Sequence, residues 1–122
     1  MIKWVRLDER MIHGQVATKW SQLLGVNRII VADDQAASNE IIKKSLMMAA
    51  PANCKTAIVP VEKAIALCND PRAEALSILL IVSTPENLLT VAEQCKGIPQ
   101  INIGNYGRIA PKHGEEVRKT YT

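Results

Sequence analysis

Between Arg6 and Gln15 the chain reads RLDERMIHGQ, which gathers two arginines, two carboxylates and a histidine within ten residues. A neutral imidazole at His13 is a nucleophile able to accept a phosphoryl group. The residues around it supply what such a group needs. Arg10, three residues earlier, carries a planar fork of donors that holds phosphate oxygens bidentately. Gly14 and Gln15 stand where a helix opens, and the first amides of a helix point at an anion with the positive end of its dipole behind them. Asp8 is placed to orient Arg10 or a ring nitrogen of His13, as carboxylates do for working histidines. Arg6 and Ser83 are supporting candidates. Phosphoryl transfer asks for alignment and charge neutralisation, so this set needs neither a metal nor an organic cofactor.

Each of these residues also has a plainer role open to it. His13 can be a solvated loop histidine, and Asp8 a turn former at a strand end. Lys3, Arg6 and Glu9 are the charges a half-solvated strand carries in any case. Asp33 and Asp34 form a second acidic pair at a strand end. They offer an alternative function, a receiver-like or nucleotide-binding module in which they hold magnesium or a ligand, set against the common use of Asp as a capping residue. No G-x-G-x-x-G or G-x-x-x-x-G-K pattern is present to support an ordinary nucleotide site. His113 sits in a polar tail and reads as exposed, while Trp20, Met47 and Met48 read as helix core or rim.

The elements that must position these residues alternate between short apolar runs and helical periodicity, the mark of successive βα units. Strands are expected at Ile2 to Asp8, Arg28 to Ala32, Thr56 to Val59, Leu76 to Val82 and Gln100 to Ile103. The fourth is a nearly unbroken aliphatic run, as in a central strand covered on both faces. Helical stripes follow each of the first four. They are Val16, Trp20, Leu23 and Leu24 in a helix from Gly14 to Leu24; Ile42, Leu46 and Ala49 in one helix beginning near Ala37; Val61, Ala64, Ile65 and Cys68; and Leu88, Val91, Ala92 and Cys95, after a cap at Ser83 or Thr84 with Pro85 in the first turn. The residues after Arg108 read as a hairpin or extended tail. The fold class is therefore α/β, one domain over residues 1–122 with an open, mostly parallel sheet and helices on both faces. If the strands are parallel, their carboxyl ends bring the His13 segment, Asp33 with Asp34, Ser83 with Thr84, and Asn105 to one edge.

Composition narrows the partners. The formal charge of +3 is scattered rather than gathered into a basic stripe, which argues against nucleic acid. Cys54, Cys68 and Cys95 are an odd number without zinc-ligand spacing and read as reduced thiols. No signal peptide and no apolar run of about 20 residues is seen, so a cytoplasmic location is expected.

RLDERMIHGQV followed by ATKW resembles the signature of the IIB component of the mannose/fructose/sorbose family of bacterial phosphotransferase systems. The pattern is close to R-(I/V/L)-D-x-R-(L/M)-(I/V)-H-G-Q-V with a tryptophan shortly after. Arg6, Asp8, Arg10, His13, Gly14, Gln15, Val16 and Trp20 all match, and RIIVADD (28–34) and INIGN (101–105) also resemble the family. The resemblance implies a phosphocarrier. His13, at Nδ1, takes a phosphoryl group from a histidine of a IIA partner and passes it to a sugar bound by the membrane IIC and IID components. Arg10 then stabilises the phosphate, and Asp8, Gln15 and the Ser83 region support it. It further implies peripheral association with the permease and leaves a homodimer open. Family members continue beyond the position of Thr122 in a further helix and strand, which this chain is expected to lack.

Overall fold

A computed structural model describes residues 2–12, 19, 22–23, 25–52, 54–95, 97–98 and 101–103. Its described elements run β1 (Ile2–Leu7), β2 (Arg28–Ala32), α1 (Asp34–Ser38), α2 (Glu40–Ala49), β3 (Lys55–Val59), α3 (Val61–Asn69), a 3-10 turn (Pro71–Ala75), β4 (Ile78–Val82), α4 (Pro85–Gln94) and β5 (Ile101–Ile103). The five strands form one sheet in the order β3-β2-β4-β1-β5, and every neighbouring pair is parallel. In the expected first helix, the described residues Lys19, Gln22 and Leu23 are helical. Among the described residues no helix is long and apolar enough to cross a membrane.

The strand order dictates where the helices go. From β2 the chain moves outward to the β3 edge, and from β4 it moves the other way to β5. Crossovers between parallel strands are right-handed, so connections running in opposite directions place their helices on opposite faces. The core is divided accordingly. Ala36 of α1 and Leu46 of α2 pack with Ile29, Val31, Leu79 and Ile81 on one face. Val61 and Ala64 of α3 and Val91 of α4 pack with Ile30, Ala32, Leu80 and Val82 on the other. All five residues of β4 are buried, which is why that run carries no polar position. Each such aliphatic side chain contributes about 1.5–3 kcal/mol on burial.

On β1 the pairing with β4 slips between Ile2 and Trp4, so that Ile2 lies opposite Ile78 and Trp4 opposite Leu79. The extra residue, Lys3, is exposed. This bulge rephases the strand: Ile2, Val5 and Leu7 all enter the α3–α4 face despite their uneven spacing, while Trp4 packs on the other. Arg6 and Asp8 share the Trp4 side of the alternation.

Several expected boundaries move for local reasons. The single helix expected from near Ala37 is two, because Asn39 takes an extended conformation and its carboxamide oxygen accepts from the amides of Ile41 and Ile42. Asp70 caps a 3-10 turn that the sequence reading did not include, and this delays β4 to Ile78. Thr84, rather than Ser83, caps α4, with Pro85 at its first position. Ala92 is exposed, so the inward stripe of α4 narrows to Leu88, Val91 and Cys95. Of core or rim, Met47 and Met48 take the rim, since both are exposed. The expected tail after Arg108 lies outside the described residues.

Candidate functional site

The register aligns the strand ends in one row. Leu7 pairs with Val82 and with Ile103, and Ala32 pairs with Val82 and with Val59. The residues that follow, Asp8, Ser83 and Asp33, therefore stand side by side at the carboxyl edge on β1, β4 and β2. Between β2 and β4 the chain directions diverge, and in open α/β sheets that crevice is where ligands bind.

Asp8 is the anchor of this edge. Its amide donates to the Val82 carbonyl at 2.9 Å, continuing the β1–β4 pairing one residue past the strand. Its side chain is fully buried, with 0% exposure. Oδ2 accepts from Arg6 Nε at 3.2 Å and lies 3.2 Å from Arg6 Nη2, while Oδ1 accepts from the Arg10 amide at 2.9 Å. The Asp8 carbonyl also accepts from the Met11 amide at 3.0 Å. One carboxylate thus fastens strand to loop. Burying it is tolerable because Arg6, itself only 7% exposed, supplies the opposite charge.

The loop that follows is held in an unusual conformation. Met11 has φ of 62°, in the left-handed region that side chains other than glycine rarely adopt. Next to it Ile12 is 3% exposed, in the α1–α2 half of the core. The chain is thereby pinned at the residue immediately before His13. Backbone strain of this kind collects at functional loops when surrounding contacts over-determine it. The Arg10 side chain is exposed while its amide is tied down.

On the neighbouring strands, Asp33 Oδ1 accepts from the Ala36 amide at 2.9 Å and caps α1, while Oδ2 accepts a short hydrogen bond from the Ser83 hydroxyl. Asp34 Oδ1 accepts from the Val61 amide at 2.8 Å. That bond serves the start of α3, where Pro60 offers no side-chain cap. Both aspartates are therefore turned to backbone amides and a hydroxyl. Among the described residues no group of three His, Cys, Asp or Glu is placed to hold a metal ion. The two aspartates of the receiver-like alternative thus both serve helix starts here.

Of the residues singled out from sequence, the structure brings together Arg6, Asp8, the Arg10 backbone and Ser83 on one edge. His13, Gly14 and Gln15 lie outside the described residues, as do Val16, Trp20, Asn105 and His113. Sequence reasoning missed Met11, whose backbone strain no residue type announces, and the Asp33–Ser83 bond. The latter had a signal: each is the polar residue directly after an apolar strand. Only the pairing of those strands makes them partners.

A family model described as PTS system sorbose subfamily IIB component matches residues 2–117. The chain belongs to that family. A probable phosphotransferase enzyme IIB component of Streptococcus pyogenes is 40% identical over 108 residues, covering 88% of this chain and 66% of that protein. The mannose-specific EIIAB component of Escherichia coli K12 is 34% identical over 104 residues, covering 85% of this chain and 32% of that protein. The crystal structure of the IIBSor domain of the sorbose permease from Klebsiella pneumoniae superposes with a TM-score of 0.79 at 35% identity, covering 85% of this chain and 64% of that one. The IIB chain thus spans about two-thirds of the length of its Streptococcus relative. The family match begins at residue 2 and ends at residue 117, so the strands and the Asp8 edge both lie within it.

Proposed function

We propose that this chain is a phosphocarrier of a bacterial sugar phosphotransferase system, in which His13 accepts a phosphoryl group from a histidine of a IIA partner. It then hands the group to a sugar held by membrane IIC and IID components. The observation that carries the reading is the Asp8 anchor, which ties the Arg10 amide and the Arg6 guanidinium at the sheet edge three to seven residues before His13. The mannose-specific EIIAB name of the Escherichia coli relative supports a IIA partner. In the first step the His13 imidazole nitrogen forms a bond to phosphorus as the N–P bond to the donor histidine breaks. Arg10 and the amides of Gly14 and Gln15 neutralise the charge on the equatorial oxygens. In the second step the sugar hydroxyl oxygen bonds to phosphorus as the N–P bond to His13 breaks, and the hydroxyl proton passes to solvent while the imidazole is freed. The carrier works in the cytoplasm, docking peripherally on its permease.

The test is phosphorylation of the purified chain from phosphoenolpyruvate through enzyme I, HPr and a mannose-family IIA, with wild type and His13→Ala compared. Label that is lost in acid, survives alkali and is absent from His13→Ala is expected. Label retained by a folded His13→Ala chain, or lost in alkali as an acyl phosphate would be, overturns the assignment.

A further inference from the structure

Helices in this fold start at the carboxyl edge of the sheet and end at the opposite one, so the ends of α3 and α4 meet far from the site described above. Each carries a free cysteine there, Cys68 in the last turn of α3 and Cys95 at the C-cap of α4. Cys95 is 7% exposed in the α3–α4 half of the core, and Cys68 packs against the same cluster half-buried. The residues beside them fix the approach, since Asn69 Nδ2 donates to the Gln94 carbonyl at 2.8 Å and ties the two helix ends together. Cys68 also lines an open cavity of about 320 Å³ with Ile2, Pro71, Glu74 and Gly97, through which a small oxidant reaches its thiol. The third thiol is elsewhere. Cys54 is buried on the opposite face of the sheet and donates to the Val26 carbonyl at 3.4 Å.

We infer that Cys68 and Cys95 are a redox-sensitive pair that closes to a reversible disulfide when the protein meets a peroxide. The neighbouring Cys95 thiol, with burial, pushes the Cys68 thiol above the ordinary range, and the Cys68 thiol in turn draws Cys95 below it. One ionised sulfur attacks a peroxide oxygen, the O–O bond breaks, and a sulfenic acid and water form. The second thiol attacks the sulfenic sulfur, the S–O bond breaks and a second water leaves. Two thiols and one hydrogen peroxide become one disulfide and two waters. A dithiol reductant reverses it. The bridge staples α3 to α4 across the stretch that contains β4, and restricting the unfolded chain in that way raises the melting temperature.

The experiment is to treat the full chain with hydrogen peroxide, then titrate thiols, measure intact mass and map the linked peptides. A loss of 2 Da, two of the three thiols gone, a Cys68–Cys95 linked peptide and a free Cys54 are expected, all reversed by dithiothreitol. The melting temperature of the oxidised form rises by about 10 °C. Cys68→Ser and Cys95→Ser each abolish the 2 Da loss. Three free thiols after treatment, a link through Cys54, a bridge only between chains, or added oxygen without the 2 Da loss overturns the inference, whichever way the phosphorylation experiment falls.

Discussion

Replacing Asp8 by Asn probes the edge on which the proposed chemistry rests. Asn preserves the shape and one carbonyl oxygen, so a bond from the Arg10 amide can survive. Its amide nitrogen, however, cannot accept from the Arg6 guanidinium as Oδ2 does at 3.2 Å. The substitution removes the Asp8 charge from beside the Arg6 guanidinium, whose side chain is 9% exposed. Breaking one partner of a buried pair costs about 3–5 kcal/mol. The remaining exposure of Arg6 and the retained oxygen point to the lower end, about 3 kcal/mol. For a chain of 122 residues the unfolding entropy at the midpoint is roughly 0.26 kcal/mol/K, so 1 kcal/mol shifts the midpoint by about 4 °C and the whole effect is about 12 °C. Thermal and urea unfolding followed by circular dichroism measure it, with an unchanged m-value showing that stability alone has moved. Adding Arg6→Met closes a double-mutant cycle, where a coupling of about 2 kcal/mol is expected. An Asp8→Asn chain that melts within about 4 °C of wild type, with Arg6→Met strictly additive to it, would refute the claim that the carboxylate fastens strand to loop.

Other perturbations separate stability from transfer. Arg10→Ala, whose side chain is exposed, is expected to leave the melting temperature within about 2 °C while lowering phosphoryl uptake by about 100-fold in the IIA-dependent assay; full uptake would remove Arg10 from the phosphate site. Ser83→Ala deletes the donor to the buried Asp33 carboxylate and costs about 1.5 kcal/mol, seen as a melting-temperature fall of about 6 °C; adding Asp33→Asn then costs less than the sum of the two singles. Away from the edge, hydrogen bonds from the Arg72 guanidinium and amide hold the Asp70 carboxyl at about 2, below its ordinary 3.8. A folded pKa below the unfolded one gives stability that is fully present above 3.8 and disappears as pH falls through about 2. Asp70→Asn therefore flattens the stability profile across that window, and carboxyl NMR of wild type gives an Asp70 midpoint near 2; a midpoint near 3.8 would mean the Arg72 contact does not persist in solution.

How much could be seen beforehand depends on the range of the forces involved. The β2 and β4 runs were legible because a strand covered on both faces must be continuously apolar, and Ile78 to Val82 has no polar residue to place. Thr84 with Pro85 announced the start of α4 in the same local way. The break at Asn39 and the 3-10 turn at Pro71–Ala75 were missed. In each, a side chain competes with the helix for the same amides, and the residue type allows both outcomes. The bulge at Lys3 and the exposure of Ala92 depend on what packs opposite, which periodicity does not contain.

By itself the sequence determined the family and the α/β class and supplied the residues proposed for phosphoryl chemistry, because motif, periodicity and side-chain type are properties of neighbouring positions. Tertiary structure decided which of them cooperate. Asp8 is an anchor rather than a free carboxylate because the β1–β4 register buries it beside Arg6. Asp33 is both a cap and the acceptor for Ser83 because β2 lies next to β4, fifty residues away along the chain. Cys68 and Cys95 pack against one apolar cluster because α3 and α4 share a face. Those pairings follow from how the sheet is ordered and how its helices bury their apolar sides, a global minimum of packing that no local stretch of residues encodes.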